Sequence, residues 1–170
     1  MSVELPIDRY WDGTPCPDAR LHGRVRLERS DAGLVITASL PHQPRPSIPD
    51  APAGSRVANL WEYDVVECFL AGAATYLEVE LGAGGHFLVL DFSAPRVRRR
   101  EYADLVPSLV FAGSGERWSS TIVLPWDMVP GGLKAVNAFV IVRDRFLAYH
   151  PTPGAVPDFH QPSTFPPVTL

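Results

Sequence analysis

Alternation of apolar and polar positions recurs along the chain and is strongest between Leu60 and Phe92, LWEYDVVECFLAGAATYLEVELGAGGHFLVLDF. Over Trp61 to Leu70 it puts Val66, Cys68 and Leu70 on one face and Trp61, Tyr63, Val65, Glu67 and Phe69 on the other, a period of two that predicts a strand. Ala71 to Ala74 predicts a turn. Tyr76 to Leu81 alternates again, Leu77, Val79 and Leu81 against Tyr76, Glu78 and Glu80. Gly82 to Gly85 predicts a second turn into a third strand, His86 to Phe92. The expected core face holds Val66, Cys68, Leu70, Leu77, Val79, Leu81, Leu88 and Leu90, and the opposite face holds Trp61, Tyr63, Glu67, Tyr76, Glu78, Glu80 and Asp91.

A first turn that pairs Leu70 with Thr75 puts Glu67 opposite Glu78 and Val65 opposite Glu80. Like charges facing each other across a strand pair destabilise a sheet, so this face is arranged for something besides stability. The expectation depends on register, because a slip of one residue moves every side chain to the other face.

The flanking segments extend the same architecture. Residues 1–20 predict a short edge strand and an ordered loop around Tyr10 and Trp11, with Trp11-Asp12-Gly13 as a turn. Arg24 to Arg29 and Gly33 to Leu40 predict a hairpin. Residues 41–57 carry five prolines, which excludes a central strand and predicts a long loop. The run Arg96, Arg98, Arg99 and Arg100 fits a solvated connection or, alternatively, contact with an acidic partner. Leu105 to Ala112 and Arg117 to Leu124 predict two more strands, Ala135 to Val142 a buried one, and Phe146 to His150 another. A Pro-rich C-terminal stretch closes in a short apolar strand. Trp118, Trp126, Phe139 and Phe165 are expected in the core. No segment predicts a helix longer than two turns, and many short strands with Gly/Pro turns predict an all-β, single-domain sandwich spanning residues 1–170, its antiparallel strands joined by long Pro-rich loops.

Composition narrows the classes. A net charge of -4 gives no electrostatic reason to expect nucleic acid or an anionic membrane. No apolar run approaches the length of a membrane span and the first residues lack a secretion-signal pattern, so a soluble, cytoplasmic protein is expected. Two cysteines make no disulfide framework: Cys68 falls on the core face as a small hydrophobe and Cys16 in a Pro-flanked loop. There is no phosphate loop, no CxxC and no nucleophile turn.

The series WDG, LWEYDVVECF, YLEVEL followed by GGHFLVL, a tryptophan before LPW, and then PDFH with a closing Phe resembles an uncharacterised family of small soluble proteins over nearly the whole chain. That family is similar in turn to the family 9-like carbohydrate-binding modules, which implies a β-sandwich that holds a terminal sugar between two aromatic rings, with a glutamate, an arginine and amides on its hydroxyls. By this resemblance Trp61 and Glu67 match the aromatic and the glutamate, and Tyr149 stands for the second aromatic. Glu80 falls where the arginine is expected, and Arg143 supplies a cation from a neighbouring strand.

The functional expectation is non-catalytic binding of a small polar ligand, with a saccharide as the implied class, by Trp61, Glu67, Glu78, Glu80, Arg143, Tyr149 and His160. A ring offers its flat face to sugar C–H groups, and ionised carboxylates accept hydrogen bonds from hydroxyls. Two alternatives stand beside it: a glycosidase-like hydrolase using Glu67 and Glu78 as a carboxylate pair, and a protein-interaction module. No cofactor is implied. Carboxylates grouped with His86, or Asp158 with His160, match no compact metal spacing. His86 is expected as a buried, hydrogen-bonded histidine at a strand start, and His160 either pins the terminal loop or lines the ligand face.

Overall fold

The computed structural model describes residues 2–170. Each predicted alternating segment forms a strand, and the strands assemble into two antiparallel sheets. The five-stranded sheet has the order β1 (Ser2–Ile7), β3 (Gly23–Ser30), β4 (Gly33–Pro41), β10 (Arg117–Leu124), β9 (Ser108–Ala112). The seven-stranded sheet runs β2 (Arg9–Tyr10), β12 (Arg145–Ala148), β11 (Ala135–Val142), β5 (Val65–Ala71), β6 (Tyr76–Gly82), β7 (Phe87–Ala94), β8 (Val97–Arg100). Among the described residues the only helical structure is three single 3₁₀ turns, at Ala19–Leu21, Leu60–Glu62 and Pro162–Thr164. None of it is long and apolar enough to cross a membrane. The fold is the expected all-β sandwich.

The inter-sheet core takes the inward residues of both sheets: Val25, Leu27, Ile36, Leu40, Trp118 and Ile122 from one, Val66, Cys68, Leu70, Leu77, Val79 and Leu81 from the other. Burial there pushes the Cys68 thiol up to about 12. Cys16, expected in a loop, is also buried in this core. Tyr149 packs against the same side. Trp126 is half-buried at its margin, donating from Nε1 to the Ser30 carbonyl at 3.1 Å under the guanidinium of Arg29.

The larger sheet is covered on both faces. Every residue of β5, β6 and β11 is buried, and a second apolar cluster occupies the outer face: Leu60, Phe69, Leu88, Leu90, Phe139, Phe159 and Phe165 among others. Phe139 stacks on Phe159 with ring centroids 3.9 Å apart and meets Phe69 edge-on at 5.4 Å. The C-terminal stretch supplies this cover. It contributes no strand, only a single bridge between Pro167 and Ala135, because its prolines remove the donors a ladder needs.

Three local expectations are corrected. First, the β5–β6 pairing joins Leu70 to Leu77 and Ala71 to Tyr76, so Glu67 faces Glu80 and Phe69 faces Glu78. The loop starts one residue later than expected, at Gly72, whose N–H closes on the Thr75 carbonyl at 2.9 Å. A Cβ on Gly72 would lie 2.7 Å from the Gly131 carbonyl oxygen, so the close approach of the Pro130-Gly131 loop requires glycine there. The shift is two residues, so every side chain keeps its face. Second, Phe87 and Val89 face the inter-sheet core while Leu88 and Leu90 face outward. Inward residues pair with inward residues, Leu81 with Phe87 and Val79 with Val89, and this puts Asp91 opposite Leu77 on the inner side, bonded to Arg99. Third, the Arg96–Arg100 run is solvent-exposed as expected but is more than a connection: Val97–Arg100 is the edge strand β8, with Arg98 on Glu101, Arg99 on Asp91 and Arg100 over the Tyr102 ring.

Phe139 is fully buried and anchors the outer cluster. Phe139→Ala should destabilise the protein by about 3–5 kcal/mol. A urea-unfolding midpoint close to that of the wild type would show that the outer cluster contributes little.

Candidate functional site

On the outer face the strands bring side chains into rows. Phe139, Glu67, Glu80 and Leu88 lie across β11, β5, β6 and β7 in one row; Asn137, Phe69, Glu78 and Leu90 form the next; Ala135, Ala71, Tyr76 and Phe92 the third. Over these rows sits an open cavity of about 560 Å³. Glu67, Glu78, Leu90, Phe92 and Ile141 contribute to its floor, Trp61 and Phe146 to its sides, Arg96 and Arg98 come from the β8 edge, and Pro157, Phe159 and His160 from the C-terminal stretch.

Trp61 does not belong to strand β5. Asn59 adopts a left-handed backbone (φ 56°) and starts the 3₁₀ turn Leu60–Glu62, which lifts Trp61 to the cavity wall while Leu60 is buried beneath. The Arg98 guanidinium lies 6.0 Å from the Trp61 ring centroid. The PDFH segment is held at both ends of its charge pattern. Asp158 Oδ1 accepts from Arg96 Nη2 at 2.8 Å and from the His160 N–H at 3.1 Å, and His160 Nδ1 lies 2.8 Å from the Tyr76 hydroxyl. His160 therefore pins the terminal stretch and lines the cavity at once.

Glu67, Glu78 and Glu80 each have a carboxylate oxygen within 4.8 Å of the others, and all are buried. Burial is the main cause that raises all three pKa values. For Glu78 it is offset by Arg98 and Arg96, leaving it at about 8. Glu67 is raised well above the usual carboxylate range by burial and then by Glu78. Glu80 is raised by burial, then by Glu67 and Glu78, against Arg98 and the backbone of Trp61. Among the described residues neither Glu80 oxygen closes a hydrogen bond of ordinary geometry. Burial thus favours the protonated form of all three carboxyls, a form that donates as well as accepts. For His160, burial, followed by Arg96, lowers the pKa to about 4.

Of the residues singled out by sequence, Trp61, Glu67, Glu78 and His160 meet at this cavity, and Glu80 adjoins Glu67 and Glu78 without lining it, fully buried. Arg143 and Tyr149 do not. Arg143 sits in the β11–β12 turn and donates to the Arg45 carbonyl at 2.9 Å, and Tyr149 follows β12 on the inter-sheet side. Arg96 and Arg98 take the cationic place instead. Their signal was the alternation of Arg96, Arg98 and Arg100 in step with a strand. His86 is a buried histidine at a strand start, its Nε2 2.8 Å from the Ala51 carbonyl, away from the cavity.

A carboxyl that holds its proton more tightly when folded stabilises the fold fully below its unfolded pKa and loses that contribution as pH rises through the folded value. For Glu78 this window runs from about 4.5 to about 8, and Glu67 and Glu80 act in the same direction. His160 has the opposite sign, losing stability only as pH falls from about 6.5 to about 4. Above the His160 window only the carboxyls act. Chelator-treated protein should therefore melt at progressively lower temperature from pH 6.5 to pH 8, with a flatter slope in Glu80→Gln. A wild-type melting temperature that rises over this interval would contradict the protonated cluster.

No protein-family profile matches the chain. The fold is similar to the crystal structure of a Bacteroides uniformis protein with a proposed role in carbohydrate binding, at a TM-score of 0.72 and 17% identity, over 96% of this chain and 84% of that one. Two relatives align over nearly the full length. The human UPF0462 protein C4orf33 is 32% identical over 171 residues, 93% of this chain and 83% of its own length. Its homologue in Rattus norvegicus is 33% identical over 181 residues, 99% of this chain and 88% of its own. With this identity and coverage, the chain belongs to the UPF0462 family.

Proposed function

We propose that this protein binds a small polar ligand, without turning it over, in the cavity over β5, β6 and β7, and that the ligand is a saccharide. The observation that carries the reading is the composition of one open cavity of about 560 Å³, the size of a site for a small molecule. It combines rings on its walls (Trp61, Phe92, Phe146 and Phe159) with hydrogen-bonding groups at its floor and rim (Glu67, Glu78, His160, Arg96 and Arg98). Sugars present both kinds of surface, apolar C–H faces and hydroxyls that donate and accept. A protonated carboxyl also does both, so Glu67 and Glu78 suit hydroxyls better than a pair of fixed anions would. The fold likeness to a protein with a proposed carbohydrate-binding role agrees with this reading.

The hydrolytic alternative needs one ionised carboxylate beside one protonated acid. Burial is the largest cause at all three glutamates and raises each of them, which favours the binding reading over that division of roles.

The test is a tryptophan-fluorescence titration with a panel of mono- and oligosaccharides, with Trp61→Ala in parallel. Of the other three tryptophans, Trp118 is buried in the inter-sheet core, Trp126 lies at that core's margin, and Trp11 packs against the outer cluster without lining the cavity. A saturable change in wild type, weakened by about tenfold or more (~1.4 kcal/mol) in Trp61→Ala, is the expected result. Silence across the panel would sink the saccharide reading.

A further inference from the structure

Among the described residues no arginine or lysine forms an ion pair with Glu67, Glu78 or Glu80 on this covered sheet face. Arg96 and Arg98, which act on them from the cavity rim, are paired with other acids: Arg96 with Asp158 at 2.8 Å and Arg98 with Glu101 at 2.6 Å. Glu80 is fully buried, and among the described residues no donor closes a hydrogen bond with either of its oxygens, although both adjoin Glu67 and Glu78. A buried polar side chain without partners costs on the order of 1–3 kcal/mol, and more when it carries charge, so its retention at the centre of an acidic group calls for a physical reason.

The dimensions of the cluster provide one. Ligand oxygens around a divalent cation at about 2.0–2.4 Å lie no farther apart than roughly 4–5 Å, and the three carboxylates here offer oxygens all within 4.8 Å of one another. A fourth donor borders the same space: His160 Nε2 is 3.9 Å from Glu78 Oε2, while its other nitrogen lies against the Tyr76 hydroxyl. Such an outer partner fixes the ring of a metal-ligating histidine and leaves one nitrogen free.

We infer that Glu67, Glu78 and Glu80 form a binding site for one divalent cation beneath the cavity, with His160 at its edge beside Glu78. The class of ion follows from the donors. Calcium takes six to eight oxygens, whereas the neighbours here are Phe69, Leu88, Leu90 and Phe139, which offer none. Three carboxylates with one imidazole suit a smaller ion of the Mn²⁺ or Zn²⁺ kind. The coordination positions left open face the cavity, because Glu67, Glu78 and His160 line it. This site shares Glu67, Glu78 and His160 with the proposed saccharide cavity but not its aromatic walls, so variants of the walls test the two readings apart.

The experiment is isothermal titration of chelator-treated, dialysed full-length protein with Mn²⁺, Zn²⁺ and Ca²⁺, repeated on Glu80→Gln and on Glu62→Gln, an exposed acid outside the cluster. Saturable binding of Mn²⁺ or Zn²⁺ at about one ion per chain is expected, retained in Glu62→Gln and weakened at least tenfold in Glu80→Gln. Circular dichroism checks that Glu80→Gln is folded; where it is not, Glu67→Gln reads the same loss. Absence of saturable binding, unchanged affinity in the folded cluster variant, or binding of Ca²⁺ alone would overturn the assignment. Saccharide titrations on Trp61→Ala leave this outcome untouched, so either reading can fail without the other.

Discussion

Glu67 and Glu80 stand directly opposite each other in the interior of a sheet that is covered on both faces, and the surrounding structure is shaped by that juxtaposition. Directly opposed residues have Cβ atoms roughly 5 Å apart, too close for two unscreened charges in a poor dielectric. Proton uptake or a counter-ion has to relieve them. The usual remedy of turning such a pair to solvent is closed here, because Phe159, His160 and Phe165 from the C-terminal stretch lie over the same face. A Pro-rich tail that contributes no strand therefore decides the electrical character of residues some eighty positions earlier in the chain.

The same cover explains why the cavity has a fixed form. Tyr76 stacks on Phe92 at 4.8 Å, both meet His160, and the Tyr76 hydroxyl also accepts from the Arg96 N–H at 3.1 Å. Through these contacts β6, β7, the turn into β8 and the tail hold one another. The ring walls and the polar floor are parts of one packed unit, and side chains locked by packing and hydrogen bonds hold a site's geometry better than a loop would.

Much of this was legible in the sequence, and the failures have local causes. Period-two alternation put Glu67, Glu78 and Glu80 on one face, and that survived a register error because the error was two residues. The partner of each glutamate was not legible, because it depended on where a four-residue loop of small side chains begins, and the reason it begins at Gly72 lies in the distant Pro130-Gly131 loop. The strand Phe87–Ala94 misled because FLVL is apolar on both faces, so alternation carries no information where both sides are buried. Trp61 was assigned to the right surface for an incomplete reason, since the 3₁₀ turn begun by the left-handed Asn59 aims it. Arg143 and Tyr149 entered through a resemblance, which transfers fold more securely than side-chain roles.

The arginine strand has one more consequence. Val97–Arg100 ends the seven-stranded sheet with all four of its residues exposed, and a free strand edge is a template on which another copy can pair. Here the edge carries Arg98, Arg99 and Arg100 in succession, so a second copy approaching edge to edge meets its own positive charge. Arg98, which also reaches the cavity, thus belongs to a charged edge that discourages the open side of the sheet from recruiting its twin, so removing its charge would cost the protein some resistance to self-association as well as part of a rim.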